Sequence, residues 1–191
     1  MELVYPYDIA PMIPLPTAET SQNRPSVSEW FPVVEASGLV IGRSTREYCH
    51  SGAKPLHPVI HIHIIDRFSR IYLQKRSMRK DIQPGKWDTA VGGHVDYGET
   101  IEEALRREVR EEIGLEDFTP EKICHYLYDS DREREMVYVY RATWDGEVCP
   151  SAETDGGRFW SIEELRENLG KGVLTPNFEM EAVKVGLIKG Y

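Results

Sequence analysis

Between Thr100 and Gly114 the chain reads Ile-Glu-Glu-Ala-Leu-Arg-Arg-Glu-Val-Arg-Glu-Glu-Ile, and no other segment limits its fold as tightly. Thr100 and Glu103 form a capping-box pattern and Gly114 supplies a C-terminal stop, so the spacing predicts a helix over Ile101–Ile113. At about 100° per residue, Ala104, Leu105, Val109 and Ile113 spread over one side, while Glu103, Arg106, Arg107 and Arg110 take the other. Glu108, Glu111 and Glu112 fall instead beside Ile101 and Ala104, toward the face that packs on a sheet. Unpaired carboxylates next to a core cost several kcal/mol, so these must be protonated, paired with bases or holding a cation. Their spacing puts them within reach of one hard divalent ion, and an all-oxygen site suits Mg²⁺ or Mn²⁺. The plainer alternative is a Glu/Arg-rich surface helix laced by i,i+4 pairs such as Arg107–Glu111. Gly92, Gly93 and Gly98 weigh against it, because they allow a tight backbone approach just before the helix, where a carbonyl can ligate the same cation.

The rest of the chain supplies a partner for that helix. Six of the twelve prolines lie in the first 32 residues, so residues 1–28 read as an extended arm, with Thr17–Ser28 polar and Leu3, Val4, Tyr5 and Tyr7 apolar enough to dock on their own domain or on a second copy in a homodimer. Residues 29–191 form the globular domain. Strands are expected at Pro32–Ala36, Leu39–Gly42, Val59–Ile65, Ile71–Lys75, Trp87–Val91, Cys124–Tyr128, Met136–Trp144 and Gly157–Trp160. Further helices are expected at Ile162–Leu169 and Phe178–Ile188. The mixture points to the α/β or α+β class, with helices covering a mixed sheet.

With 191 residues and 40% hydrophobic side chains, the chain can bury one real core. Its apolar runs fall short of the roughly 18 residues that cross a bilayer, and its start lacks the pattern of a secretory signal. Cys49, Cys124 and Cys149 are odd in number, widely spaced and without a CxxC, as expected of reduced thiols in the cytoplasm. A net charge of −9 argues against binding to nucleic acid or membrane. An anionic small-molecule substrate then needs local charge reversal, and Lys75, Arg76, Arg79, Lys80 and Lys86, opposed by Asp81 alone, form a basic island just ahead of the glycines. Arg76, at a strand end, is the preferred phosphate contact, with Lys75 and Lys86 beside it. His61 and His63 alternate on one strand face and read as packing residues.

Gly93, five residues, Glu99, seven residues, then Arg107-Glu108-Val109-Arg110-Glu111-Glu112-Ile113-Gly114-Leu115 resembles the Nudix box at every defined position. The resemblance implies an α/β/α sandwich with a mixed β-sheet, and hydrolysis of a nucleoside diphosphate linked to another moiety. Carried onto these residues, it makes Glu108, Glu111 and Glu112 metal ligands with the Gly93 carbonyl, Glu99 the support of the loop and of metal-bound water, and Arg107 the orienting arginine. Glu108 or Glu112 then serves as general base, and Glu153 matches a further glutamate found in some members.

A second resemblance lies inside the same superfamily. Val40–His50 with Leu56-His57 is similar to the start of the isopentenyl diphosphate isomerase-like branch; His50, His57, His94, Glu133 and Glu135 match the residues that bind a metal there. The isomerase's catalytic cysteine falls where this chain has Gly92, and its box is degenerate where this one is complete. Isomerisation needs an acid and a base on opposite faces of the substrate, so the contrast favours a hydrolase. The alternatives are an isomerase-like enzyme or a non-catalytic Nudix-fold sensor or binding module.

Overall fold

The computed structural model describes residues 2–5 and 29–188. The expectations for most of the arm, residues 6–28, lie outside them. The elements in chain order are β1 Trp30–Val34, β2 Val40–Thr45, α1 Arg46–Cys49, β3 His57–Ile65, β4 Ile71–Arg76, β5 Trp87–Asp88, β6 Val91–His94, α2 Ile101–Ile113, β7 Glu121–Asp129, β8 Arg134–Thr143, β9 Thr154–Trp160, α3 Ile162–Asn168 and α4 Pro176–Lys184. Strand order in the large sheet is β5-β4-β3-β8-β7, with β6 on β3 and β9 on β4; β1 and β2 form a separate antiparallel pair. Among the described residues no helix is long and apolar enough to cross a membrane.

The chain divides into two compact units. The first is drawn from Met1–Val59, His94–Ala104 and His125–Val137. Here Val4 bridges to Leu39, and the Tyr5 hydroxyl accepts the Gly98 N–H at 3.1 Å and donates to the Glu99 carbonyl at 3.0 Å. The apolar start of the arm thus docks on its own chain. The Thr100 hydroxyl accepts the Glu103 N–H, and the Glu103 carboxylate accepts the Thr100 N–H, which closes the capping box that starts α2.

The second unit comprises Ile60–Gly93, Leu105–Cys124 and Tyr138–Tyr191. The alternation of β4 sets its layers. Ile71 and Leu73 join Trp160, Leu165 of α3 and Leu174, Phe178 and Ala182 in one buried cluster, whereas Gln74 points the other way and donates to Glu112 of α2. Helices therefore lie on both faces of this strand. α3 starts on a Ser161–Glu164 capping box, and α4 on a Thr175 cap followed by Pro176. Gly114 ends α2 with φ at 72°, a conformation a glycine adopts without strain.

Candidate functional site

In the second unit, α2 presents its carboxylates to β6. Gly93 has no side chain, and Glu108 fills the space: a Cβ on Gly93 would stand 2.1 Å from the Glu108 Cδ. Glu112 accepts the Gln74 amide at 3.2 Å and the Gly92 N–H. Burial, and next the charge of Glu108, raise the Glu112 carboxyl to about 7. Arg107 donates to Glu108 at 2.7 Å and reaches Glu111 at 3.5 Å. Glu111 itself is 55% exposed, so Glu108 and Glu112 form the inward pair and Glu111 stands at their rim. Two carboxylates that repel each other in a cradle only a glycine leaves open are a donor set suited to a hard divalent cation.

The basic island takes a different form from a row of open phosphate ligands. Arg76 Nη1 pairs with Asp88 at 3.1 Å, and its Nε donates to the Ile82 carbonyl, so this guanidinium braces the loop between β4 and β5. Lys75 stands opposite Trp87 in the β4–β5 pairing, and the Lys86 carbonyl accepts the Arg76 N–H. Glu153, on the exposed loop before β9, pairs with Lys80 at 3.3 Å and adds to the charge that raises Glu112. That loop is tied to the end of α2, because Cys149 N–H donates to the Ile113 carbonyl and Ser151 N–H to that of Glu112.

In the first unit Glu99 closes its own loop, its carboxylate accepting the Asp96 N–H at 3.0 Å. The same unit gathers His50, His57, His94 and Glu135, each with a ligating atom within 4.8 Å of the others. The resemblance placed these residues together, and the fold does so from the C-cap of α1 and from β3, β6 and β8. Phe31 forms the floor, stacked on His94 at 4.3 Å and on His57 at 5.7 Å between ring centres. His57 Nδ1 donates to the Pro55 carbonyl at 2.9 Å, which leaves Nε2 as a lone pair; that atom is buried with no hydrogen-bond partner among the described residues. Burial lowers the pKa of both His57 and His50, keeping the rings neutral as metal ligation requires. Glu133 lies 3.5 Å from His50 Nε2 at the edge of the group. A mixed nitrogen and oxygen set of this kind suits a transition metal.

Sequence reasoning missed Gln74 and Glu181. Glu181 of α4 is 1% exposed and lies 2.7 Å from His61 Nδ1 and 2.8 Å from His63 Nε2, so the two histidines read as packing residues hold a buried carboxylate. Only a buried-charge count over the helical face of α4, where Glu181 sits beside Ala182, would have flagged it.

The NUDIX domain family model matches residues 55–178. An uncharacterized Nudix hydrolase of Nostoc sp. is 34% identical over 147 residues, covering 75% of this chain and 87% of that protein. An isopentenyl-diphosphate Delta-isomerase of Leifsonia xyli is 32% identical over 152 residues, covering 73% and 78%. An uncharacterized Nudix hydrolase of Yersinia pestis is 36% identical over 94 residues, which are 49% of this chain and 51% of that one. A crystal structure of a Deinococcus radiodurans protein superposes with a TM-score of 0.71 at 22% identity, over 82% of this chain and 99% of its own, and shares the mixed α/β fold with a mixed sheet. By the span of the domain match and the identity of its relatives, this chain belongs to the Nudix family.

Proposed function

We propose that this protein is a Mg²⁺- or Mn²⁺-dependent hydrolase that cleaves the pyrophosphate linkage of a nucleoside diphosphate derivative by attack of water. The observation that carries the reading is the Glu108–Glu112 pair held over Gly92–Gly93. A divalent cation held by Glu108, Glu111, Glu112 and the Gly93 carbonyl would polarise a phosphoryl oxygen and acidify water. Glu108 or Glu112 then takes the proton of the attacking water, and a bound cation would hold both carboxyls ionised against the burial that raises Glu112. Arg107 orients Glu108 and Glu111, and Gln74 fixes one Glu112 oxygen. Lys75 and Lys86 offset the chain's −9 charge toward a diphosphate, with Arg76 holding their loop. Glu99 keeps the preceding turn closed.

The test is a panel of nucleotide sugars, ADP-ribose, dinucleotides, nucleoside triphosphates and prenyl diphosphates assayed for released nucleotide or phosphate. Mg²⁺-dependent turnover that falls at least about 100-fold in Glu112→Gln and Glu111→Gln supports the reading. Equal inertness of folded wild type and variants overturns it.

One observation favours a second reading. The His50, His57, His94 and Glu135 cluster, together with the identity to the Leifsonia xyli isomerase, fits an isomerase-like enzyme acting on prenyl diphosphates. Against it stands Gly92, which offers no thiol where the resemblance requires one. Conversion of isopentenyl to dimethylallyl diphosphate decides the matter, and no conversion is expected.

A further inference from the structure

On the α4 side of β6 a buried carboxylate holds two imidazoles. Glu181 reaches His61 Nδ1 at 2.7 Å and His63 Nε2 at 2.8 Å, while the Thr89 hydroxyl lies 3.3 Å from His63 Nδ1. His61 and His63 are two apart on β3, so both rings face the same helix. A carboxylate buried this deeply is costly unless cationic donors oppose it, and the hydrolytic site uses none of these groups. Beyond the cluster, however, lies that site's own backbone. A Cβ on Gly92 would stand 3.3 Å from the His61 Cδ2 and 3.4 Å from its Nε2. The Gly92 N–H donates to Glu112, and Gly93 abuts Glu108 on the opposite face of the strand. A continuous chain of contacts therefore runs from Glu181 through His61 and Gly92 to Glu112.

We propose that Glu181 and His61 are positioning residues for the cation site on α2: the imidazole, fixed by the carboxylate, backs the Gly92 peptide and holds its N–H at Glu112. The inference rests on the hydrolase reading only for the assignment of Glu108 and Glu112 as cation ligands. It also bears on glycine at position 92, since a Cβ there would press on the ring edge and displace it by a few tenths of an ångström. The ring and the missing side chain are a matched pair.

The experiment titrates the full-length protein with Mg²⁺ alone, following heat and the backbone amide resonances of Gly92 and Gly93; a hard ion selects the all-oxygen site over the histidine cluster. Wild type binds, and Glu112→Gln does not; absence of binding to wild type would sink the assignment of the ion site itself. His61→Asn keeps a donor for Glu181 but removes the ring edge against Gly92, and is expected to weaken Mg²⁺ binding about 10-fold or more with little change in Tm. Gly92→Ala alone weakens binding similarly. In the His61→Asn background the same Gly92→Ala substitution fills the vacated space and recovers affinity. Glu181→Gln weakens binding in the same direction. Unchanged Mg²⁺ affinity in folded His61→Asn, or additive losses in the double variant, would overturn the proposal and reduce the cluster to packing.

Discussion

Gly93 and Glu108 occupy one another's space: a Cβ on the glycine would lie 2.1 Å from the carboxylate carbon and 2.5 Å from Oε1. The Glu108 side chain cannot keep its position unless residue 93 is a glycine. Gly93→Ala is therefore expected to eject Glu108 from the strand and to cut Mg²⁺-dependent hydrolysis at least about 100-fold, a loss on the order of 3 kcal/mol in transition-state stabilisation. Circular dichroism should stay native, because the glycine lies at a strand residue with no positive φ to accommodate. Wild-type turnover in Gly93→Ala would show that the cradle has no catalytic consequence.

Glu112 couples stability to pH. Its carboxyl titrates at about 7 in the folded protein against 4.5 for an ordinary glutamate, because of burial first and Glu108 second. The folded state thus holds this proton more tightly than the unfolded chain. The stabilisation is whole below about pH 4.5 and is lost as pH rises toward 7. At about 1.4 kcal/mol per unit the full effect is on the order of 3 kcal/mol, and partial hydration brings it nearer 1–2. In EDTA, wild-type Tm should fall below that of Glu112→Gln by several degrees at pH 8, with the gap closing at pH 5. Added Mg²⁺ should lift wild type alone. Parallel Tm curves across that range would contradict the burial of an ionising Glu112.

Arg46 guards the histidine cluster. Its Nη1 lies 3.3 Å from His94 Nδ1, and a guanidinium only donates, so the His94 proton sits on Nε2, 3.2 Å from His50 Nε2. Ligation through Nε2 requires that proton to move to Nδ1 and Arg46 to turn toward Glu29, with which it already pairs at 3.1 Å. Arg46→Met should therefore tighten Co²⁺ binding to the cluster about 3–10-fold, read from the visible absorption of the bound ion, and His57→Ala should abolish it. Weaker binding in Arg46→Met would show that the arginine supports the site.

The parts of this molecule that were legible in the sequence are those set by neighbours in the chain. The ends of α2 follow from Thr100, Glu103 and Gly114, all local signals, and the inward turn of Glu108 and Glu112 follows from helical geometry. Glu111 lies about 80° round the helix from Ile101, at the edge of the inward arc, so it reaches the rim, where Arg107 pairs with it. Arg76 also pairs with Asp88, a partner that the sequence does not announce because the two meet only when β5 folds back on β4. Glu181 and His61 are 120 residues apart, and no periodicity in either segment announces the other. α1, four residues long, carries too little pattern to be seen apart from its Thr45 cap.

Tyr72 offers a last measurement, on the α2 face of β4. It is 2% exposed, and its hydroxyl has no hydrogen-bond partner among the described residues. Gly157 on the paired strand leaves room for that hydroxyl, since a Cβ there would stand 2.0 Å from the oxygen. A buried hydroxyl without a partner costs about 1–3 kcal/mol in lost hydration. Tyr72→Phe removes that cost and keeps the ring, so Tm should rise by roughly 2–4 °C for each kcal/mol recovered in a chain of this size. Gly157→Ala should have the opposite effect, because the new methyl meets both the oxygen and the ring carbon behind it, 2.4 Å away. A lower Tm in Tyr72→Phe would show that the hydroxyl is satisfied by bound water and would overturn the cost assigned to it.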